Sequence, residues 1–119
     1  MTSVKHCLDN LVAIIDRNRL KAMDATECGK ILDPLALRWA SFGWAVREVD
    51  GHDMAALCDA LDWAGGQFNQ PSMIVAKTVK GKGVSFMAGL AGFHNAAITE
   101  EQYRQALAEL EVAIQEQTQ

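Results

Sequence analysis

The sequence predicts an α/β fold with a parallel sheet and crossover helices, and three observations carry this prediction. Short apolar runs suited to buried strands recur along the chain, amphipathic helical patterns lie between them, and a longer helical pattern follows the last run. This order is typical of parallel sheets, because two parallel strands need a crossover connection between them. The length of 119 residues, of which 50% are apolar, suits one domain with a small core.

The first half of the chain predicts two strands and one helix. Residues 11–15 (LVAII) form a continuous run rich in branched side chains, which predicts a strand buried on both faces. Asp33 and Pro34 then predict a helix start, with Asp33 as the cap and Pro34 in the first turn, and Gly43 ends that helix. A second strand is predicted over residues 44–49 (WAVREV).

The alternation of helix and strand continues in the second half. Asp53 predicts the cap of a helix that a glycine pair, Gly65 and Gly66, ends. A third strand is predicted over residues 72–79 (SMIVAKTV), and a glycine-rich loop follows from residue 81 to about residue 97. Right-handed crossovers would bring the loops after all three strands to one edge of the sheet, where open α/β sheets bind ligands.

A last helix is predicted from a capping box, in which Gln102 follows Thr99 by three positions. Its apolar side chains recur at helical spacing and are expected to be buried. They are Tyr103, Leu107, Leu110 and Ile114.

Composition excludes several classes of function. The net charge of −4 argues against a nucleic-acid partner, which needs a broad basic face. Three cysteines without paired CxxC spacing (Cys7, Cys28 and Cys58) predict neither a disulfide framework nor a zinc site. No segment reads as a signal peptide or a membrane span, so a soluble cytoplasmic protein is expected.

Four polar clusters near the predicted strand ends could bind ligands, and each has a simpler explanation. Residues 16–18 (DRN) offer oxygens to a divalent cation, or they make a turn. His52 could act as an acid or base, although its neighbours favour a turn and a helix cap. The lysines of residues 77–83 (KTVKGKG) could contact phosphate without a Walker motif, or be solvated. His94 could bind phosphate or move protons, or be an ordinary loop residue.

Four segments, taken in order, resemble the amino-terminal, diphosphate-binding region of transketolases. They are residues 8–18 (LDNLVAIIDRN), 34–53 (PLALRWASFGWAVREVDGHD), 72–86 (SMIVAKTVKGKGVSF) and 93–111 (FHNAAITEEQYRQALAELE). The resemblance implies an enzyme that transfers a two-carbon ketol unit between sugar phosphates with thiamine diphosphate and Mg²⁺.

The resemblance also implies roles for single residues. Asn18 matches a metal ligand, and Leu20 matches the residue whose backbone carbonyl binds the same metal. Lys80 matches the lysine that contacts the cofactor's diphosphate. His94 matches a histidine between the diphosphate and the reacting end of the substrate, with a catalytic role.

The chain departs from the family pattern at three places. The family's metal and diphosphate motif begins with GDG, which occurs nowhere in this chain. Arg19 stands where the family has glycine, and Asn95 stands after the loop histidine in place of glycine. The resemblance is therefore to the carboxyl-terminal half of a thiamine-diphosphate-binding fold, and residues 1–119 are predicted to form a single partial domain.

Two hypotheses of function follow from these matches and departures. The chain is a transketolase-like subunit or fragment that acts on sugar phosphates once other chains complete it, or it is a non-catalytic remnant that serves as an oligomeric or protein-binding module. Either hypothesis predicts a homo-oligomer or a complementary transketolase chain that covers an open part of the sheet. Trp39, Trp44 and Trp63 are predicted to lie in the core or to form that exposed apolar surface.

Overall fold

A computed structural model describes residues 1–21, 24–25 and 32–117 of the chain, so Cys28 and most of the predicted connection around it lie outside the described residues. The described helices are α1 (Thr2–Lys5), α2 (Leu35–Ser41), α3 (Met54–Gly65) and α4 (Glu100–Gln117). The strands are β1 (Val12–Arg17), β2 (Leu20–Lys21), β3 (Asp24–Ala25), β4 (Ala45–Asp50) and β5 (Ser72–Lys77), and a 3₁₀ turn spans Ala91–His94. None of the described helices is both long and apolar enough to span a membrane.

The chain divides into two compact units. The first comprises Met1–Arg17 and Lys30–Thr78, and the second comprises Asn18–Gly29 and Val79–Gln119. The first unit contains a three-stranded sheet in the order β1-β5-β4, and both strand pairs are parallel. The predicted α/β class with a parallel sheet and crossover helices is therefore confirmed.

The central strand β5 forms the middle of the core. Its residues from Ser72 to Ala76 are all buried, because strands flank it on both sides and helices cover both faces. One face packs Met73 and Val75 with Trp44, α1 and α2, and the other packs Ile74 and Ala76 with α3. Parallel pairing places the carboxyl ends of all three strands in one row, as the sequence predicts.

The strand β1 is only half covered, which corrects the prediction of a strand buried on both faces. Ala13 and Ile15 pack on the core beside α2, but Val12 is 37% exposed and Ile14 is 55% exposed on the opposite face. The reason is that α3 packs over β4 and β5, whereas β1 lies at the edge of the three-stranded sheet.

The three tryptophans belong to the core and not to an exposed apolar surface, so that part of their predicted role is wrong. Trp44 is buried, and Trp39 meets it edge to face with ring centroids 5.1 Å apart. Trp63 packs on the opposite core cluster, and the Arg47 guanidinium lies 5.9 Å from its ring centroid. Indole rings of this size fill the space between helices and strands that carry many small side chains.

The start of α2 differs from the prediction. Pro34 occupies the cap position, and no side chain caps the helix. The Asp33 carboxylate instead accepts a hydrogen bond from the buried Arg17 guanidinium at 3.2 Å. After this helix Gly43 adopts a φ of +84°, and a Cβ there would lie 2.9 Å from a Val4 methyl group, so glycine is required.

The caps of α3 and α4 are confirmed. The Asp53 carboxylate accepts a hydrogen bond from the amide of Ala56 at 3.0 Å, and α3 ends at the predicted glycine pair. At α4, the Thr99 hydroxyl accepts from the Gln102 amide at 3.2 Å, while the Gln102 side chain accepts from the Thr99 amide at 2.9 Å. This reciprocal pair is a capping box.

The buried face of α4 is not the predicted one. Its large apolar side chains are 40–65% exposed, and its half-buried positions carry small or polar residues instead. The half-buried residues are Gln102, Ala106, Glu109 and Ala113. Ser85, in the loop after β5, donates hydrogen bonds to Glu109 and thereby orients this side of the helix toward the loop.

Candidate functional site

All four residues that the sequence predicts as ligands belong to the second unit. Asn18 and Leu20 directly follow β1, Lys80 follows β5 by three residues, and His94 lies at the end of the 3₁₀ turn. Parallel strands deliver such residues to the same edge of a sheet.

Lys80 and His94 come together although 14 positions separate them. The Lys80 ammonium nitrogen lies 3.5 Å from the His94 imidazole Nδ1, which is a long hydrogen-bond distance. Lys80 is half-buried and His94 is exposed. An ammonium and an imidazole that meet at one point can both donate hydrogen bonds to an anionic oxygen, so this pair is a candidate phosphate contact.

The loop that carries Lys80 is held in a compact form. The amide of Gly89 donates a 2.8 Å hydrogen bond to the Lys80 carbonyl. Gly81 adopts a φ of +71°, and a Cβ there would lie 2.9 Å from the carbonyl oxygen of Met87. Glycine at this position therefore allows the loop to fold back immediately after Lys80. Phe86 and Phe93, in edge-to-face contact at 5.7 Å, fix the segment before His94.

Asn18 makes a tight turn after β1. Its side-chain oxygen accepts a 2.9 Å hydrogen bond from the Leu20 amide, so the turn that the sequence allowed is present. Arg19, between them, adopts a φ of +61°, in the left-handed region that favours glycine. This explains why a glycine suits the position and why arginine is costly there. The Asn18 amide oxygen keeps a second lone pair that a cation could use.

The DGHD segment after β4 has a structural role. The Asp50 carboxylate accepts a 2.9 Å hydrogen bond from the His52 amide, and Asp53 caps α3. A Cβ on Gly51 would lie 2.4 Å from the Thr78 side chain, and the Thr78 hydroxyl donates a short hydrogen bond to the Asp16 carboxylate. Gly51 is therefore needed for close packing at the carboxyl edge of the sheet.

Glu109 joins α4 to the loop that follows β5 and carries Lys80 and Lys82, called here the cationic loop. The sequence did not predict this contact. The Glu109 carboxylate accepts hydrogen bonds from the Ser85 amide and the Ser85 hydroxyl, both at 2.6 Å. Gln105 donates to the same carboxylate at 2.8 Å and to the Ser85 hydroxyl at 3.2 Å. The hydrogen bonds from the Ser85 side chain and backbone, together with that from Gln105, lower the pKa of Glu109 below its ordinary value of 4.5.

No sequence motif distinguishes Glu109 from the other glutamates of α4. One weak signal exists: Glu109 lies between Ala106 and Ala113 at helical spacing, and an acidic residue between alanines on one side of a helix is unusual. Its significance depends on the loop that folds onto it, which is a tertiary feature.

Comparison with known proteins identifies the chain. The family model described as "Transketolase, thiamine diphosphate binding domain" matches residues 2–117. The chain belongs to the transketolase family. Its sequence is 40% identical over 104 residues to a 6-deoxy-6-sulfo-D-fructose transketolase subunit of Clostridium sp. (strain MSTE9), covering 87% of this chain and 38% of that protein. It is 39% identical over 115 residues to an apulose-4-phosphate transketolase subunit of Phocaeicola vulgatus, covering 97% of this chain and 41% of that protein.

Solved transketolase structures share the fold. The transketolase of Campylobacter jejuni superposes with a TM-score of 0.84 at 26% identity, over 92% of this chain and 17% of that one. The transketolase of Pichia stipitis in complex with fructose 6-phosphate superposes with a TM-score of 0.79 at 29% identity, over 87% of this chain and 15% of that one. The chain thus spans about two fifths of the length of the transketolase subunits it matches, 38% and 41%, and much less of full transketolases.

The described residues fit the diphosphate of a transketolase cofactor better than they fit its metal ion. Lys80 and His94 fit a diphosphate, because they bring hydrogen-bond donors to one point of a glycine-shaped loop. Asn18 and Leu20 could give two oxygens to a divalent cation, but no group of three His, Cys, Asp or Glu side chains suited to a metal occurs among the residues that the structure describes. Magnesium usually binds through one or two carboxylates plus phosphate oxygens and water. Among the described residues, Lys80 and His94 are therefore a candidate diphosphate contact, and Asn18 and Leu20 are candidates for part of a metal site.

Proposed function

We propose that the chain is the part of a transketolase that holds one side of the thiamine diphosphate site, and that it supports ketol transfer between sugar phosphates when other chains or segments complete that site. The observation that carries the proposal is the convergence of Lys80 and His94 on one loop after the central strand. Family membership supports thiamine diphosphate as the ligand, and the residue-level roles rest on the resemblance.

Each candidate residue has a task in this proposal. Lys80 neutralises part of the diphosphate charge as a point charge, which an acidic protein must supply locally. His94 is the catalytic candidate, because an exposed imidazole beside the diphosphate can hold or move a proton at the substrate's reacting end. Asn18 and the Leu20 carbonyl would bind a Mg²⁺ ion whose carboxylate ligand comes from elsewhere. When bound, thiamine diphosphate supplies the carbon nucleophile that carries the ketol unit.

The proposal includes a partner, namely a second chain that completes the site. Two relatives are named as transketolase subunits, which supports an assembly of more than one chain. The open face of β1 beside Ile14 supports a missing neighbour on the sheet. The substrates that the relatives' names give, a sulfofructose and a sugar phosphate, support phosphorylated or similarly anionic sugars as the substrate class.

A second candidate function is a non-catalytic module that keeps the fold and has lost the chemistry. One observation favours it: Arg19 stands in the predicted metal loop where the family has glycine, and its φ is +61°. In that case the preserved loop would have only a structural role.

Calorimetric titration with thiamine diphosphate and Mg²⁺ separates the two candidates. The chain is titrated alone and after mixing with a transketolase subunit that carries the pyrimidine-binding domain, encoded by a neighbouring gene. The proposal expects weak or no binding by the chain alone, and binding with ketol transfer by the mixture. Absence of binding and of ketol transfer in the mixture would contradict the proposal and support the non-catalytic module.

A further inference from the structure

Ser85 lies in the middle of a closed turn that begins at Lys80. The Gly89 amide donates a 2.8 Å hydrogen bond to the Lys80 carbonyl and closes residues 80–89 into one loop, called here the closed turn. Shorter hydrogen-bonded turns lie inside it. They join the Val84 amide to the Gly81 carbonyl at 3.2 Å and the Met87 amide to the Val84 carbonyl at 3.0 Å. A contact that fixes Ser85 therefore also limits the positions that the Lys80 backbone can take.

Helix α4 contacts the closed turn through two adjacent residues, Glu109 and Leu110. The Glu109 carboxylate accepts hydrogen bonds from the amide and the hydroxyl of Ser85, both at 2.6 Å. A Leu110 methyl group lies 3.2 Å from the position that a Cβ on Gly83 would take, so glycine allows the helix to approach. A helix of 18 residues thus supports the turn with one polar and one apolar contact.

The charge of Glu109 has the wrong sign for a direct contact with a diphosphate. Its lowered pKa keeps the carboxylate ionised at neutral pH, and a carboxylate repels phosphate oxygens. Ser85 and Gln105 donate three hydrogen bonds to this carboxylate, which therefore binds the closed turn and α4. An acidic residue beside a cationic loop is useful there if it holds the loop in place.

We propose that Glu109 is a positioning residue for the diphosphate contact: it holds the closed turn so that the Lys80 ammonium stands beside His94 before the ligand arrives. The inference rests on the proposed function, because it needs Lys80 to bind diphosphate. A loop that is ordered in advance loses less conformational entropy on binding, so loosening it lowers the affinity.

Calorimetric titration tests the inference through the sign of the effect. Thiamine diphosphate and Mg²⁺ are titrated into a mixture of this chain with a transketolase subunit that carries the pyrimidine-binding domain. Glu109→Gln is expected to raise the dissociation constant about fivefold. A direct effect of charge would lower it instead, since the variant removes a negative charge. Glu116→Gln removes the same charge from an exposed position of α4 and is expected to leave the affinity unchanged.

A second pair of variants shows whether Glu109 acts through Lys80. Glu109→Gln is also introduced into Lys80→Ala, where there is no ammonium group left to position. The loss of affinity that Glu109→Gln causes in this background is expected to be less than about twofold. A role in stability alone would give the same change of affinity in both backgrounds.

Hydrogen exchange of the chain without ligand measures the turn itself. The Gly89 amide closes the turn on the Lys80 carbonyl, so its exchange is expected to be faster in Glu109→Gln and unchanged in Glu116→Gln. Helical circular dichroism verifies that each variant is folded.

Three results would overturn the inference. The first is an affinity in Glu109→Gln that equals or exceeds that of the unmodified chain. The second is an equal loss with and without Lys80, and the third is unchanged exchange of the Gly89 amide. If the unmodified mixture binds no thiamine diphosphate, the proposed function fails and the inference fails with it. Binding by that mixture without an effect of Glu109→Gln overturns the inference alone.

Discussion

Single residues on the loops after β1 and β5 carry the ligand contacts that we propose. Lys80 approaches His94 because Gly81 turns the chain directly after it. Asn18 has both proposed roles at once, since its side-chain oxygen closes a turn on the Leu20 amide and retains a lone pair for a cation. The backbone turn at each of these positions depends on one or two residues. Point substitutions there are therefore expected to test one contact at a time.

Arg19 adopts a backbone conformation that favours glycine over a residue with a side chain. Its φ of +61° costs a non-glycine residue about 1 kcal/mol, so Arg19→Gly is expected to stabilise the chain by up to about that amount in urea unfolding. Arg38→Gly, in the interior of α2, is the control and is expected to destabilise the chain by about 1 kcal/mol. Loss of stability in both variants would show that the Arg19 side chain outweighs the backbone cost.

At the scale of elements, the cationic loop is held to α4 by a carboxylate. Glu109 accepts hydrogen bonds from both the amide and the hydroxyl of Ser85, and Gln105 supports the same contact. The loop from residue 79 onward thus has one polar attachment that its glycines alone would not provide.

Replacement of this carboxylate is expected to loosen the loop. Glu109→Gln keeps the size of the side chain but removes its charge, so the Ser85 amide should exchange its hydrogen faster. Hydrogen exchange followed by NMR measures this, with Glu116→Gln as the control on the same helix. Unchanged protection of Ser85 in Glu109→Gln would contradict the assigned role.

The attachment of the loop also predicts a pH dependence with a definite sign. The pKa of Glu109 is lowered in the folded chain because its hydrogen bonds favour the carboxylate. The stabilisation is therefore fully present above the ordinary value of 4.5 and is lost as the pH falls below 4.5 through the lowered pKa. Glu109→Gln should show a flatter decline of stability over this acidic range than the unmodified chain, as unfolding titrations at several pH values would measure.

Elements with local signals could be predicted from the sequence, and elements defined by tertiary neighbours could not. Asp53 and Thr99 cap their helices as predicted, because a capping side chain reaches an amide only two or three residues away. Asp33 does not cap α2, because Arg17, sixteen positions earlier, binds its carboxylate instead. The same distinction applies to the site, where the glycines and lysines were visible and the contact of Glu109 with the loop was not.

At the scale of the whole molecule, tertiary neighbours determine which apolar surfaces are covered. The alternation of strands and helices predicted the sheet, yet the run at residues 11–15 could not reveal that β1 is an edge strand with one open face. Burial of that face depends on a neighbour, and a periodic pattern describes only the segment that carries it. For the same reason the apolar residues of α4 read as core in the sequence and are exposed in the structure.

Ile14 and Ile74 provide a direct test of this arrangement, because they are register partners on adjacent strands. Ile14 is 55% exposed and Ile74 is fully buried. Ile74→Ala is expected to cost about 2–5 kcal/mol of unfolding free energy, and Ile14→Ala less than about 1.5 kcal/mol. Urea unfolding measures both, and equal costs would mean that another chain or segment covers the outer face of β1.

The central claim is that the loop after β5 binds the diphosphate of thiamine diphosphate through Lys80. The most direct test is calorimetric titration of thiamine diphosphate and Mg²⁺ into a mixture of this chain with a transketolase subunit that carries the pyrimidine-binding domain, comparing Lys80→Ala with Lys82→Ala. Both variants remove one positive charge from the same loop, but only Lys80 approaches His94. We expect Lys80→Ala to weaken binding by about tenfold or more and Lys82→Ala to change it little. Equal affinities of the two variants, or a larger loss in Lys82→Ala, would contradict the claim.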